Sequence, residues 1–178
     1  MSSQRDALKL KIVNAKETPP SDDEVRSIVE IESHPKVREW LIEYFGWNLE
    51  KEFEAYKRFF ENLPKNRRSE ILLAKYDGHV VGFLGLWKLG RYSEHVATLG
   101  VSIHPDYWGK GIATRLVRSA IKTARKKDLR RLEIETLSEN TAMRRVAEKT
   151  GFQLECIRKD RISKDGSYHD EASYFMLL

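Results

Sequence analysis

Between Ala97 and Ala124 an apolar strand pattern runs through His104-Pro105-Asp106-Tyr107-Trp108-Gly109-Lys110-Gly111 into a helix whose Ile112, Ala113, Leu116, Val117, Ala120, Ile121 and Ala124 form one apolar stripe. Few folds accommodate that succession. The strand must enter a sheet, the helix must cover it, and the glycine turn must join them. Such a turn leaves the first N–H groups of the helix without partners and aims them, with the positive end of the dipole, at one spot. Gly109 and Gly111 lack a Cβ, so unusual dihedrals are open to them and a phosphate can approach the main chain closely. The stretch reads as a phosphate cradle. For a glycine pair alone, a tight structural turn is the plain alternative.

A second element lies downstream. Arg131–Leu137 alternates as a strand and is followed by Asn140 and by Glu148-Lys149-Thr150-Gly151-Phe152. Taken with Tyr107-Trp108-Gly109-Lys110-Gly111-Ile112-Ala113, these residues resemble the acetyl-CoA-binding half of the GNAT N-acetyltransferase superfamily. The tail Gly151-Phe152-Gln153-Leu154-Glu155, then Gly166 and His169-Asp170, is most similar to the branch of ribosomal-protein N-terminal acetyltransferases and spermidine acetyltransferases. The resemblance covers residues 71–178 well, whereas residues 8–70 are compatible with it.

That resemblance implies an α/β (α+β) fold: a mixed, mostly antiparallel central sheet, splayed at the cofactor strand, with helices on both faces. It implies an acetyl-CoA-dependent transfer to a primary amine, a protein N-terminal α-amine or a lysine. The alternatives are a polyamine-type small acceptor and a non-catalytic acyl-CoA-binding module. Pantetheine is expected along Leu99–Ile103, including Val101 and Ile103, and the pyrophosphate at Trp108, Gly109, Lys110, Gly111, Ile112, Ala113 and Thr114. Asn140 is expected to reach the cofactor, to cap a helix, or to do both.

Three positions depart from the family pattern. Trp108 stands where Arg or Gln is commoner, Ala147 where many relatives carry the tyrosine that protonates the thiolate, and Thr98 where a glutamate base is frequent. Glu94 and His95 are the replacement bases expected from sequence, and Tyr174, Tyr168 or water the replacement acids. A thiol leaving group, with a pKa of about 8.5, needs only modest help near neutral pH. Eight of the eighteen aromatics fall between Trp40 and Phe60, the region that shapes the acceptor site in the resembling family. Tyr44 and Trp47 are expected to contact the acceptor, with Tyr56 a further candidate.

Composition bounds the rest. The 178 residues carry no linker-like stretch and read as a single N-acetyltransferase domain, 1–178. No apolar run approaches membrane-span length and no apolar signal core follows Met1, so a cytoplasmic protein without membrane contact is expected. The single cysteine, Cys156, excludes an internal disulfide and a thiolate zinc site. No metal is expected either at His169-Asp170-Glu171, because neighbours on a strand point to opposite faces. Nine Lys/Arg stand against one Asp from Trp108 to Arg131, a block that would attract the phosphates of coenzyme A. No helix-turn-helix or RNA-binding signature accompanies it, so nucleic acid is not the expected partner. A homodimer is a prior only.

The alternation of Leu8, Leu10 and Ile12 predicts a first strand, and Ser21-Asp22-Asp23-Glu24 opens a helix with capping-box spacing. Helical pieces are predicted over about Pro35 to Phe45 and Leu49 to Asn62. Strands follow at Ile71–Tyr76, Val80–Leu89 and Ala97–Ile103, the first two joined at Asp77-Gly78. After Arg131–Leu137 come a helix from Asn140 to Lys149, closed by Gly151, and strands at Gln153–Arg161 and Tyr168–Leu177.

Overall fold

A computed structural model describes residues 10–42 and 48–178. Seven strands form one sheet in the order β1-β2-β3-β4-β5-β7-β6: β1 (Leu10–Asn14), β2 (Ser69–Tyr76), β3 (His79–Lys88), β4 (Val96–Ile103), β5 (Arg131–Leu137), β6 (Gln153–Lys164) and β7 (Ser167–Leu177). Every pairing is antiparallel except β4 with β5. The expected mixed, mostly antiparallel sheet with helices on both faces is therefore present.

Each face has its own core. On one side α4 (Ile112–Lys126) lays Leu116, Val117, Ala120 and Ala124 onto Leu72, Leu84, Leu99 and Leu132, with α5 (Thr141–Lys149) beside it. On the other, α1 (Asp22–Ser33) and α3 (Leu49–Asn62) bury Val25, Ile28, Phe53 and Phe60 against Ile71, Leu73 and Phe83. Strand alternation sends successive side chains of β2 and β3 to opposite cores, which is why both faces of these strands read as apolar.

The local signals account for most boundaries. Ser21 Oγ accepts from Glu24 N–H at 3.3 Å and Glu24 Oε2 accepts from Ser21 N–H at 3.0 Å, a complete capping box. Asp77 and Gly78 both adopt positive φ, as the two-residue turn between right-twisted strands requires. Asp165 and Gly166 do the same, so β6 continues to Lys164 and β7 starts at Ser167, beyond the strand bounds Arg161 and Tyr168 expected from sequence.

One helix expectation fails. Of the piece predicted from Pro35 to Phe45, residues 43–45 lie outside the described residues, residues 39–42 are not helical, and the helical part is α2 (Pro35–Arg38). Its end has a specific cause: Lys164, from the distant β6–β7 turn, donates to the carbonyls of Arg38 and Glu39 at 2.7 Å and of Leu41 at 3.2 Å. Those carbonyls are satisfied from outside the helix, and an ammonium suits its negative end. Burial holds the Lys164 ammonium below the ordinary lysine value. Leu8, predicted in the first strand, lies outside the described residues.

Candidate active site

The sheet opens along β4. Pairing of β4 with β5 is confined to Val96–Thr98 against Arg131–Glu133, whereas β4 stays paired with β3 through Ile103. Beyond Thr98 the β5-facing edge of β4 is therefore released, and backbone groups along it are available to a ligand. A cavity of about 890 Å³ occupies the gap. It runs from the α4–α5 face, through the split, to the face covered by α1 and α3.

Most of the expected cofactor residues meet in this cavity. Val101, Ile103, Trp108, Gly109, Gly111, Ile112, Ala113, Thr114 and Asn140 all line it. Gly109 and Gly111 each have φ of +74°, and a Cβ at either would meet nothing within 4 Å, so the turn faces open space. Gly111 N-caps α4 without a side-chain hydrogen bond, which leaves the first-turn N–H groups directed at the cavity. Those two observations fit a pyrophosphate.

Asn140 serves as a cap as well. Its Oδ1 accepts from Met143 N–H at 3.0 Å while the residue lines the cavity, so the amide NH₂ is the group left to face a ligand. Trp108 turns its indole back on the strand, donating from Nε1 to the Ile103 carbonyl at 2.8 Å. The residue that departs from the family pattern thus props the cradle through packing. Lys110 is exposed and outside the lining, with its ammonium 4.6 Å from the Tyr107 ring centroid.

The basic block divides between structure and solvent. Arg115 donates to the Leu10 carbonyl at 3.1 Å, Lys127 pairs with buried Glu70 at 2.8 Å, and Arg131 pairs with Glu133 and Glu155. Much of its charge ties elements together. On the cavity wall the cations are Arg145 and Lys149, both on α5.

The residues expected to be catalytic do not line the cavity. Glu94 and His95 are exposed and precede β4 at the end where it is still closed against β5, so neither lines the cavity. Tyr174 is fully buried on β7. Its hydroxyl accepts from Arg144 Nε at 3.0 Å and donates to Glu148 Oε1 at 3.0 Å, tying β7 to α5 away from the cavity. Tyr168 is 73% exposed and does not line the cavity either. Ala147 is itself fully buried in the core that contains Tyr174. Tyr44 and Trp47 lie outside the described residues.

On the α1–α3 side, distant segments supply the cavity wall: Glu32, Val37, Trp40, Tyr56, Phe83, Trp87 and Thr98. Tyr56 donates a hydrogen bond to Glu32 Oε2. Burial pushes the Glu32 carboxyl above the usual range; the Tyr56 bond opposes this and nearby Glu52 adds to it. Glu135 also lines the cavity but pairs with Arg158 at 2.8 Å. The sequence analysis missed Glu32 and Trp87. A signal existed for Glu32, an acid continuing the Val25, Ile28, Val29 stripe at helical spacing.

A sheet split at one parallel pair, with a glycine turn and a helix N-terminus at the mouth, defines a protein that binds an extended, phosphate-bearing cofactor between its strands. The chain belongs to the acetyltransferase (GNAT) family, whose model matches residues 34–152. A Bacillus subtilis relative, provisionally named a ribosomal protein bS18-alanine N-acetyltransferase, is 30% identical over 108 residues, spanning 61% of this chain and 70% of the relative. Two solved structures share the fold. The ribosomal-protein-S5-alanine acetyltransferase of Vibrio fischeri superposes with a TM-score of 0.79 at 16% identity, over 95% of this chain and 93% of the other. The spermidine N-acetyltransferase of Vibrio cholerae, in complex with CoA and spermine, also gives 0.79, at 17% identity and 96% of each chain. The protein is an N-acetyltransferase that uses acetyl-CoA.

Proposed function

We propose that the acetyl group is delivered to the α-amine of a protein N-terminus or to a lysine, rather than to a polyamine. The cavity that passes through the opened sheet carries this reading, because it offers the amine an approach from the face opposite the cradle. The Bacillus relative named for ribosomal-protein alanine acetylation supports the same acceptor class. We hold the 178 residues to be one domain acting in the cytoplasm.

When bound, acetyl-CoA supplies a thioester whose carbonyl carbon forms the new C–N bond as its C–S bond breaks and the thiol is released. The chain itself must orient the two ends and take one of the two protons that the ammonium nitrogen gives up, the other leaving on the thiol. The released edge of β4 orients the acyl end by backbone hydrogen bonds, and the α4 N-terminus holds the phosphate end. Glu32 is the carboxylate positioned on the acceptor side to take the proton, directly or through water. Its raised pKa makes it a better base than an exposed glutamate.

The test is thiol release from acetyl-CoA, with product mass analysis, over a peptide with a free N-terminus, an N-terminally blocked lysine peptide and spermidine. Turnover on either peptide above that on spermidine is expected. Spermidine acetylated faster than either peptide would overturn the reading.

A further inference from the structure

The two glycines of the central hairpin are directly paired, Gly85 on β3 with Gly100 on β4, and flanked by the pair Trp87 with Thr98. Phe83 belongs to the α1-side core, and by strand alternation Gly85 and Trp87 share its face. The Trp87 indole lies down over this glycine pair. A Cβ on Gly85 would fall 2.1 Å from the ring, and one on Gly100 would lie 3.5 Å from it. No other residue type at position 85 permits this placement of the ring. The result is a flat aromatic floor, 40% exposed, in the acceptor half of the cavity beside the point where the sheet splits.

The acceptor half of the wall carries two acids. Glu32, held by Tyr56, and Glu135, held by Arg158, are the acids of the wall. Among the described residues the lining cations, Arg145 and Lys149, sit on α5 across the sheet. An ammonium over an indole face beside a carboxylate is attracted by both. A carboxylate on the carbon that bears that ammonium would meet Glu32, while Arg158, the cation at Glu135, is already engaged by Glu135 and Glu171.

We propose that Trp87, seated on Gly85 and Gly100, and Glu32 form the acceptor cage, and that it selects primary ammonium groups with no adjacent carboxylate, excluding free α-amino acids. This rests on the amine-acetylation reading above and narrows its substrate class.

L-Alaninamide and L-alanine make the minimal pair, since they differ in the carboxylate alone. Wild-type enzyme is expected to favour the amide by roughly tenfold or more in kcat/KM, and Trp87→Ala to raise the KM for the amide by about tenfold. Gly85→Ala keeps the tryptophan but displaces its ring, and should reproduce that KM effect. Both variants should bind CoA within about twofold of wild type, by calorimetry, which also shows that they are folded. Equal use of alanine and alaninamide, or an unchanged KM in both variants, overturns the cage. A peptide, a blocked lysine peptide and spermidine identify which source of the ammonium is used best.

The cage is also read without turnover, from the change in tryptophan fluorescence as alaninamide is titrated into the CoA complex. Quenching that is present in wild type and lost in Trp87→Phe supports it, and quenching equal in the two overturns it. If alaninamide binds but is never acetylated, the proposed function fails and the cage stands. If alanine is acetylated as readily as its amide, the function stands and the cage fails.

Discussion

The two faces of the split sheet reach the same cavity by different means. On the α4 face the ligand is offered main chain: a glycine turn at φ +74°, uncapped N–H groups and the released edge of β4. On the α1 face it is offered side chains from four separate segments, at Glu32, Trp40, Tyr56 and Trp87. A backbone site depends on a few contiguous residues that must be glycine or small, and it tolerates change elsewhere. A side-chain site depends on register and packing across the molecule. Cofactor affinity and acceptor preference should therefore respond to separate mutations.

The sharpest way to break the comparison is Gly111→Glu. A left-handed φ costs a side-chain-bearing residue about 1–2 kcal/mol, and the carboxylate would project into the anion site. Affinity for CoA should fall by at least about 100-fold, or about 2.7 kcal/mol, when titrated calorimetrically. If turnover persists at saturating acetyl-CoA, the KM for the acceptor should stay near wild type.

Glu70 tests stability apart from either face. It is 3% exposed and pairs with Lys16 at 2.7 Å and Lys127 at 2.8 Å. Burial opposes its ionisation, but Lys127, Lys16 and Asn14 outweigh this and hold its carboxyl below the usual range. A depressed folded value means that the stabilisation is complete above about pH 4.3 and is lost as pH falls through the lower folded pKa. Glu70→Ala should lower the unfolding free energy by roughly 2–3 kcal/mol at neutral pH, measured with urea, and flatten the acid limb of the stability curve. Neither CoA affinity nor acceptor KM should move.

Lys164→Met should have a smaller effect, confined to the acceptor. It removes the ammonium that ties the β6–β7 turn to the backbone of Arg38, Glu39 and Leu41, next to the cavity wall at Trp40. The acceptor KM is expected to rise about fivefold, the loss of about 1 kcal/mol of positioning, in steady-state assays with CoA affinity unchanged. The smallest effect belongs to Glu94→Gln and His95→Ala, both exposed and away from the cavity. Each should change kcat/KM by less than about twofold.

The same contrast explains what the sequence made legible. The cradle was readable because Gly109, Gly111 and the α4 stripe are adjacent in the chain and each residue type has a backbone reason to be there. The acceptor wall was not, because Glu32 and Trp87 come to line one cavity only when α1 packs on β3. Nothing in the strand pattern singles out Trp87, because its role depends on a ring that rests on Gly85 and Gly100. Tyr174 looked available as an acid from sequence because neither its burial nor its bonds to Arg144 and Glu148 can be read from strand periodicity. The helix predicted from Pro35 stops at Arg38 for a related reason: Lys164, which takes up the carbonyls of Arg38, Glu39 and Leu41, is more than a hundred positions away.

The central claim is that one cavity joins a backbone cradle to a side-chain cage through the opened sheet. Its most direct test is the affinity of a conjugate in which the sulfur of CoA is joined through an acetyl bridge to the N-terminal nitrogen of a short peptide. The conjugate should bind at least about tenfold more tightly than CoA, with that excess lost in Trp87→Ala while CoA binding is kept. A conjugate that binds no more tightly than CoA would contradict the account, because the two halves would then not be reached by one ligand.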